Sequence, residues 1–224
     1  MYDTIVIGAG FAGATIAREL AERGGEKVLL LEARGHIGGN AYDRLGGAGV
    51  MIHQYGPHIF HTGSKRVYDY LSRFTGWRDY QHRVLARYTP EGGLMPVPFN
   101  LTSLRTAFGE EKGAELEEKL IGKYGAETKV SILKLREDED PEIRQLADYV
   151  YEHVFVHYTV KQWGTPPEEI DPATIARVPV FLSRDDRYFQ DPYQGIPEKG
   201  YTALFEKMLS HPGIEVVLNC PAEN

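Results

Sequence analysis

The sequence predicts an α/β fold in which a βαβ unit and a late strand bracket a largely helical insertion. Two apolar runs, TIVIG (4–8) and KVLLLE (27–32), flank a helical pattern from Ala12 to Arg23. Strand, helix and strand in that order are typical of a parallel sheet. From Thr102 to about Val178 the patterns are mostly helical, and IEVVL (214–218) again has the pattern of a buried strand. A small β segment is expected between the βαβ unit and the insertion.

The first elements are delimited by their ends. TIVIG stops at a glycine, and Gly24-Gly25 ends the first helix, because glycine readily adopts the left-handed conformation found at helix ends. Ser64 can cap a second helix, whose apolar face is Val67, Tyr70, Leu71 and Phe74. The stretch RVLARYTPEGGLMPVPF (83–99) predicts two extended segments around a Glu-Gly-Gly turn.

Later elements follow the same signals. Asp140-Pro141 predicts the cap and first turn of a helix that runs to about Thr159. The acidic run REDEDPE (136–142) is expected to be a solvated loop and helix start. A last helix face precedes the final strand and consists of Tyr201, Leu204, Phe205 and Met208.

Composition excludes several classes of protein. The formal net charge of −7, from 25 Lys+Arg and 32 Asp+Glu, argues against nonspecific nucleic-acid binding. No apolar run approaches the ~18 residues of a membrane span, and the N-terminus lacks the basic region of a secretory signal. A single cysteine, Cys220, cannot form an internal disulfide, so a cytoplasmic location is expected. The eight histidines show no metal-ligand spacing.

A complete GxGxxG motif lies between the first predicted strand and helix, at Gly8-Ala-Gly10-Phe11-Ala12-Gly13. In that setting the glycines allow a tight turn, close approach of a pyrophosphate and packing of the helix on the strand, and the helix N-terminus supplies amide donors. Glu32 follows Gly13 by 19 residues, where an acid accepts a bond from a ribose hydroxyl. This predicts NAD or FAD; a glycine-rich turn without ligand is the alternative.

The stretch EARGHIGGNAY (32–42) bears on the choice of dinucleotide. After the acid, simple nicotinamide enzymes usually continue directly into a helix. Here the acid is followed by Ala33, Arg34, Gly38, Gly39 and Asn40. This resembles the flavoprotein continuation of the motif, in which backbone amides and a polar side chain line an extended FAD. Spacing alone does not choose, but the resemblance favours FAD.

Three further stretches extend the resemblance: YGPHIFHT (55–62), YTVKQWG (158–164) and YFQDPYQGIPEKGY (188–201). Together with the flavin motif they resemble the UDP-galactopyranose mutase family. The resemblance implies an isomerase, active with reduced FAD, that interconverts UDP-galactopyranose and UDP-galactofuranose through a covalent adduct between the flavin and the anomeric carbon. The cofactor carries the chemistry, and the protein positions and polarises.

Residue roles are implied by the same resemblance. His58 and Ile59 would lie against the flavin ring, with His58 adjusting its electronics. Arg177 would close on the diphosphate with a mobile loop. The other substrate-binding positions would be His82, Phe155, Tyr158, Thr159, Trp163 and Tyr188. Without the resemblance, His58 could be a hydrogen-bonded core histidine, Arg177 a surface arginine and the aromatics core residues.

The predicted organisation has four segments. Residues 1–79 form the FAD-binding Rossmann-type part, 80–99 an extended hairpin-like segment of a substrate-side sheet, 100–186 the helical insertion, and 187–224 the return to the FAD-binding domain. Family members continue further, so the chain is expected to be an N-terminal fragment that is inactive alone. An amine-oxidase-like FAD oxidoreductase and a nucleotide-binding module without activity stay open as alternatives, and a homodimer is one expectation for its assembly.

Overall fold

The computed structural model describes residues 1–87, 93–156, 160–161, 164–165, 169–171 and 179–222. Contacts divide the chain into two compact units. The first comprises Met1–Gln81 and Asp191–Asn224, and the second is His82–Gln190. The predicted boundaries at 79/80 and 186/187 lie two and four residues from these; the finer division into four segments stays a prediction.

The first unit is built on a parallel sheet of three strands, β1 (Thr4–Ile7), β2 (Val28–Leu31) and β12 (Ile214–Val217), in the order β1-β2-β12. Helix α1 (Phe11–Gly24) connects β1 to β2, as the apolar patterns predicted. The three strands end in register, with Ile7, Leu31 and Val217 side by side. The residues that follow each strand therefore meet at one edge of the sheet, where ligands bind in such folds.

One helical layer covers this sheet. Helices α1 and α7 (Tyr201–Leu209) pack together, and α1 also contacts all three strands. The predicted helix face of α7 is buried, as are Gly13, Ala14, Ala17 and Ala21 of α1. The prediction that β1 is a buried strand is only half right, because side chains of a strand alternate between faces. Val6 is buried, whereas Ile5 and Ile7 on the opposite face are 61% and 69% exposed.

The rest of the first unit consists of short antiparallel pairs and one helix. A hairpin, β3 (Asp43–Leu45) and β4 (Met51–His53), follows a 3₁₀ turn at Gly39–Ala41. A second sheet has the order β5-β11-β6, from Phe60–Thr62, Tyr193–Pro197 and Trp77–Arg78. Helix α2 (Lys65–Ser72) begins at the predicted cap, where Ser64 Oγ accepts from Val67 N at 3.4 Å.

The second unit is mainly helical, as predicted. The predicted extended pair is the hairpin of β7 (Val84–Arg87) and β8 (Leu94–Val97), and a short antiparallel pair joins Lys129–Val130 to Val180–Phe181. The remaining elements are α3 (Leu101–Phe108), α4 (Glu110–Tyr124), β9 (Lys129–Val130), α5 (Ile132–Arg136), α6 (Pro141–Val150), a π-helical turn (Tyr151–Phe155) and β10 (Val180–Phe181). Their apolar faces form one core. The turn at Glu91–Gly93 lies partly, and the helix predicted at Asp171-Pro172 mostly, outside the described residues.

The acidic run between α5 and α6 corrects one expectation. Asp140 caps α6 as predicted, with its Oδ1 accepting from Glu142 N at 2.8 Å. Asp138, however, is not solvated: it is 5% exposed, and its carboxylate is bonded by Lys123 Nζ at 2.6 Å and by the Tyr124 hydroxyl. A buried carboxylate is stable only with such partners, and they lie on α4, out of reach of any local pattern.

Candidate cofactor-binding site

The turn between β1 and α1 has the geometry that its three glycines predict. Gly8 adopts φ +94°, in the left-handed region, and its N–H donates to Leu31 O at 2.7 Å. A Cβ on Gly13 would lie 1.8 Å from the Gly8 carbonyl oxygen, so only glycine lets α1 start this close to β1. Gly10 is the N-cap and has no side chain to satisfy the first-turn amides. A 14-residue helix therefore presents amide donors and its positive dipole end at this edge.

Glu32 lies beside that turn, at the end of β2. It is 7% exposed, and its two carboxylate oxygens accept from Ala9 N at 2.8 Å and from Arg34 N at 2.9 Å. The acid thus ties both glycine-rich segments together, a structural role that the sequence did not reveal. A carboxylate has about four lone-pair sites, so two such bonds leave capacity for a ligand hydroxyl.

The second glycine-rich segment packs directly on the first. Gly38 (φ +94°) donates its N–H to Ala9 O at 2.8 Å, and Gly39 has φ +56°. A Cβ on Gly39 would lie 3.1 Å from the Gly10 Cα. The glycine pair in EARGHIGGNAY is therefore required by backbone conformation and by close approach to the GxGxxG turn. Two lengths of backbone without side chains meet where a pyrophosphate would approach.

Polar side chains extend this surface beyond Glu32. Arg34 is exposed, donates from Nη2 to Asn40 Oδ1 at 3.0 Å, and places its guanidinium carbon 4.6 Å from the centre of the Tyr55 ring. Both contacts hold the guanidinium without neutralising its charge. A fixed cation beside the second glycine-rich segment suits an anionic ligand.

A cavity of about 790 Å³ runs along α1 from Phe11 to Arg23, and its lining residues include neither Glu32 nor the glycines of the two turns. Its wall includes Phe11, Ala12 and Thr15 of α1, Phe60 of β5 and Val67 of α2. A mostly apolar concavity of this size is within the range of small-molecule sites. The glycine turns and the buried acid fit a dinucleotide, and both belong to the first unit.

His58 and Ile59, the residues predicted to face a flavin ring, are half-buried between β4 and β5. His58 Nδ1 lies 2.9 Å from the Gly56 carbonyl oxygen. A carbonyl only accepts, so the bond requires a proton on Nδ1. The neutral ring then offers Nε2 as an acceptor, and only the imidazolium can donate there.

Three of the predicted substrate residues, His82, Phe155 and Tyr188, are described by the structure and fall in the second unit. His82 and Tyr188 lie together, with Tyr188 N donating to His82 O at 2.7 Å and ring centres 5.7 Å apart. Phe155 is 3% exposed and packs in the helical core, which gives it a structural role whatever else it contacts. The remaining predicted positions, Tyr158, Thr159, Trp163 and Arg177, lie outside the described residues.

Sequence reasoning missed the residue that organises the YQGIPEKGY stretch. Asp43 is 2% exposed and accepts from Tyr201 N at 2.6 Å and from Thr202 N at 2.8 Å, so it caps α7 from across the unit. Gly200 has φ +87°, and a Cβ there would lie 2.6 Å from Asp43 Oδ2. One feature of the sequence could have indicated a distant cap: the helix pattern that begins at Tyr201 is clear, but no capping side chain directly precedes it.

A second missed contact joins two of the motif stretches. His61 Nδ1 lies 2.6 Å from Asp191 Oδ2, and β5 and β11 pair with Gln194 opposite His61. In the described part of the chain, no group of histidine, cysteine and acidic side chains is arranged to bind a metal ion. The described helices also include none that is long and apolar enough to cross a membrane.

These features define a Rossmann-type dinucleotide-binding protein. Residues 6–74 match a family described as NAD(P)-binding Rossmann-like domain, and residues 153–224 match the UDP-galactopyranose mutase family. The second match covers the KQWG and YQGIP stretches and is independent of the nucleotide motif.

Curated relatives are similar over nearly the whole chain. A UDP-galactopyranose mutase of Mycoplasma pneumoniae is 38% identical over 99% of this chain and 55% of its own length. A dTDP-fucopyranose mutase of Escherichia coli is 37% identical over 97% of this chain and 56% of its length. By contrast, a nicotine dehydrogenase of Pseudomonas putida matches only 26% of this chain, at 43% identity.

Solved structures agree on the fold. A reduced UDP-galactopyranose mutase superposes with a TM-score of 0.60 at 18% identity, covering 96% of this chain and 48% of the other. By sequence, the chain is similar to UDP-galactopyranose mutases over nearly all of its length, as its motifs predicted. It spans about 55% of the length of the curated relatives.

Proposed function

We propose that this chain carries the FAD-binding part of a flavin-dependent isomerase that interconverts UDP-galactopyranose and UDP-galactofuranose. The observation that carries the proposal is the similarity to mutases over 99% of the chain. A generic nucleotide-binding module or an amine-oxidase-like enzyme would account for the first 74 residues but not for the mutase match at 153–224.

Each group of the dinucleotide has candidate partners in the first unit. The amides of Phe11 and Ala12 would receive the pyrophosphate at the α1 N-terminus. Glu32 would accept from the adenosine ribose, with Ala33 beside it. Arg34, Asn40 and the glycine pair support the longer FAD over NAD, because they extend the polar surface past the acid. Bound FAD, in its reduced form, would supply the nucleophile that displaces UDP from the anomeric carbon.

The fixed tautomer of His58 bears on how the protein would stabilise that cofactor. With the Nδ1 proton committed to Gly56 O at 2.9 Å, a neutral His58 turns only a lone pair outward. An imidazolium would instead present a donor and a positive charge to a ring that carries negative charge when reduced. We propose that His58 adjusts the electronics of that ring from its Nε2 side, with Ile59 supplying apolar contact.

The substrate would be a pyrimidine nucleoside diphosphate sugar. The names of the relatives include both UDP-galactopyranose and dTDP-fucopyranose mutases, and the UDP-galactopyranose name recurs in two further relatives. Tyr158 would stack on the base and Arg177 would clamp the diphosphate. The further substrate contacts would come from His82, Phe155, Thr159, Trp163 and Tyr188. A cytoplasmic enzyme of this kind, with a homodimer as one option, would feed cell-wall polysaccharides that contain galactofuranose.

The test is a pair of measurements: FAD binding by this chain, and isomerisation by a protein that contains this chain and spans the full length of its relatives. Titration of the chain with FAD and with NAD, each followed by calorimetry, should show a preference for FAD. Incubation with UDP-galactofuranose and dithionite, followed by chromatography, should then give UDP-galactopyranose only when FAD is reduced. Tighter binding of NAD, or consumption of oxygen with an amine substrate instead of isomerisation, would contradict the proposal. Arg177→Ala should weaken UDP binding about ten- to hundredfold without changing FAD binding.

A further inference from the structure

The loop that precedes β5 is closed by two histidines. The His58 backbone N–H donates to His53 Nδ1 at 2.9 Å, and the His58 ring donates to Gly56 O at the same distance. Gly56 sits between them with φ +97°, a conformation that other residues rarely adopt. Two hydrogen bonds therefore position the His58 imidazole. One joins the ring itself to the Gly56 carbonyl oxygen, and the other joins the His58 backbone N–H to the His53 side chain.

The chemistry of the His53 bond fixes its protonation. A backbone N–H can only donate, so His53 Nδ1 must carry a lone pair and any proton on the neutral ring sits on Nε2. His58 has the opposite arrangement, with its proton on Nδ1. Only a side chain with an acceptor at the position of Nδ1 can make the bond that His53 makes.

His53 is itself anchored in the core of the first unit. It is the last residue of β4 and lies opposite Asp43 in the β3–β4 register. Its ring meets the buried Tyr201 ring edge-on, with centres 5.8 Å apart at 87°. Tyr201 in turn donates its N–H to Asp43 Oδ2 at 2.6 Å. The backbone of His58 is thus connected to the helix cap through a single imidazole.

We infer that His53 is a positioning residue: it holds the backbone of His58 so that the His58 imidazole faces the cofactor. The inference rests on the proposed function, which places His58 against the flavin. His53 makes its contact to the peptide of His58, so its effect on a cofactor is transmitted through that residue. No local pattern predicts it, because the pairing depends on the turn at Gly56.

Two variants and a control isolate the bond. His53→Asn keeps an acceptor, since Oδ1 of asparagine can occupy the position of Nδ1, while His53→Leu keeps the bulk and removes the acceptor. His211 is the matched control, because its Nδ1 also accepts a backbone N–H, that of Gly213 at 3.1 Å, away from this loop. His211→Leu removes the same kind of bond elsewhere in the first unit.

The first readout is hydrogen exchange at the His58 amide, measured by NMR on the unliganded chain. His53→Leu should speed exchange about tenfold, and His53→Asn and His211→Leu should not, because one bond worth ~1–1.5 kcal/mol is lost only in the first. The second readout is FAD itself. His53→Leu should weaken FAD binding about two- to tenfold and shift the bound flavin's absorption bands, with His53→Asn restoring both.

The outcomes separate the two proposals. The inference would be overturned if the His58 amide of His53→Leu exchanged at the wild-type rate. It would also be overturned if His53→Leu and His53→Asn changed FAD binding and the flavin absorption equally, or if His211→Leu had the same effects as His53→Leu. In each case FAD binding by the wild type leaves the proposed function standing. If the wild type binds no FAD, the proposed function fails and the inference falls with it, whatever the amide exchange shows.

Discussion

Replacing Glu32 with glutamine tests the centre of the proposed cofactor site. The two carboxylate oxygens accept from Ala9 N at 2.8 Å and Arg34 N at 2.9 Å, and the side chain is buried. Glutamine retains one oxygen and turns an NH₂ group toward the other N–H donor. One charge-assisted bond is lost, at ~1.5–3 kcal/mol, and a donor is left buried without an acceptor. We expect the free energy of unfolding to fall by about 2–3 kcal/mol.

The same substitution should weaken FAD binding if the ribose hydroxyl is the third partner of the carboxylate. That bond is again charge-assisted, so the expected loss is about ten- to hundredfold in affinity. An FAD analogue with 2′-deoxyadenosine separates this contact from general damage. The wild type should prefer FAD to the analogue by about tenfold or more, and Glu32→Gln should show little preference. The two proteins and two ligands form a double-mutant cycle, which isolates the interaction between the carboxylate and the ribose hydroxyl.

Urea denaturation and fluorescence titration of FAD supply the two measurements. Asp3→Asn is the matched control, since Asp3 also accepts a backbone N–H, from Lys27 at 2.8 Å, but at an exposed site. It should cost less than about 1 kcal/mol and leave FAD affinity unchanged. A Glu32→Gln protein as stable as the wild type would refute the structural role. An unchanged preference for FAD over its deoxy analogue would refute the ribose contact.

The elements that the sequence predicted well are those whose signals are local. The periodic patterns of β1, α1 and β2 and the caps at Ser64 and Asp140 depend on residues within a few positions of each other. Their predicted limits agree with the structure to within one or two residues at most ends. The GxGxxG turn belongs to the same class, because its geometry is determined by the conformational freedom of consecutive residues.

What could not be predicted depends on residues far apart in the chain. The cap of α7 comes from Asp43, separated from Tyr201 by 158 positions, and no pattern around either residue names the other. The partners of Asp138 lie on α4, and solvation was the natural expectation for an acidic run. The exposure of Ile5 and Ile7 depends on which face of the sheet α1 and α7 cover, which an apolar run does not encode.

The candidate site shows the same division. The acid and the glycines were predicted, but the backbone partners of Glu32 and the packing of Gly39 on Gly10 required the fold. For the substrate residues the motifs supply a resemblance, and the structure adds the contact of His82 with Tyr188 and the burial of Phe155. Their roles in substrate binding stay predictions.

Three further predictions concern stability. Gly13→Ala should destabilise the first unit by about 2 kcal/mol or more and abolish FAD retention after gel filtration, because its Cβ would meet backbone at 1.8 Å. Asp43→Ala should lower the free energy of unfolding, measured by urea titration, by about 2–4 kcal/mol, since two N–H groups lose their acceptor. For comparison, Ser64→Ala at the exposed cap of α2 should lower it by about 1 kcal/mol or less. The last concerns acid. Burial raises the pKa of the Asp138 carboxyl, but the bonds from Lys123 and a neighbouring tyrosine outweigh burial and lower it to about 2 from the ordinary 3.8. Because the folded-state pKa is the lower one, this stabilisation is complete above about pH 4 and is lost as the pH falls from about 4 to about 2. It is worth up to about 2 kcal/mol. Other carboxylates also titrate in that range, so the quantity to measure is the difference in unfolding free energy between the wild type and Asp138→Asn at successive pH values. That difference should shrink below about pH 4, and a difference that stays constant down to about pH 2 would show that the ion pair does not stabilise the fold.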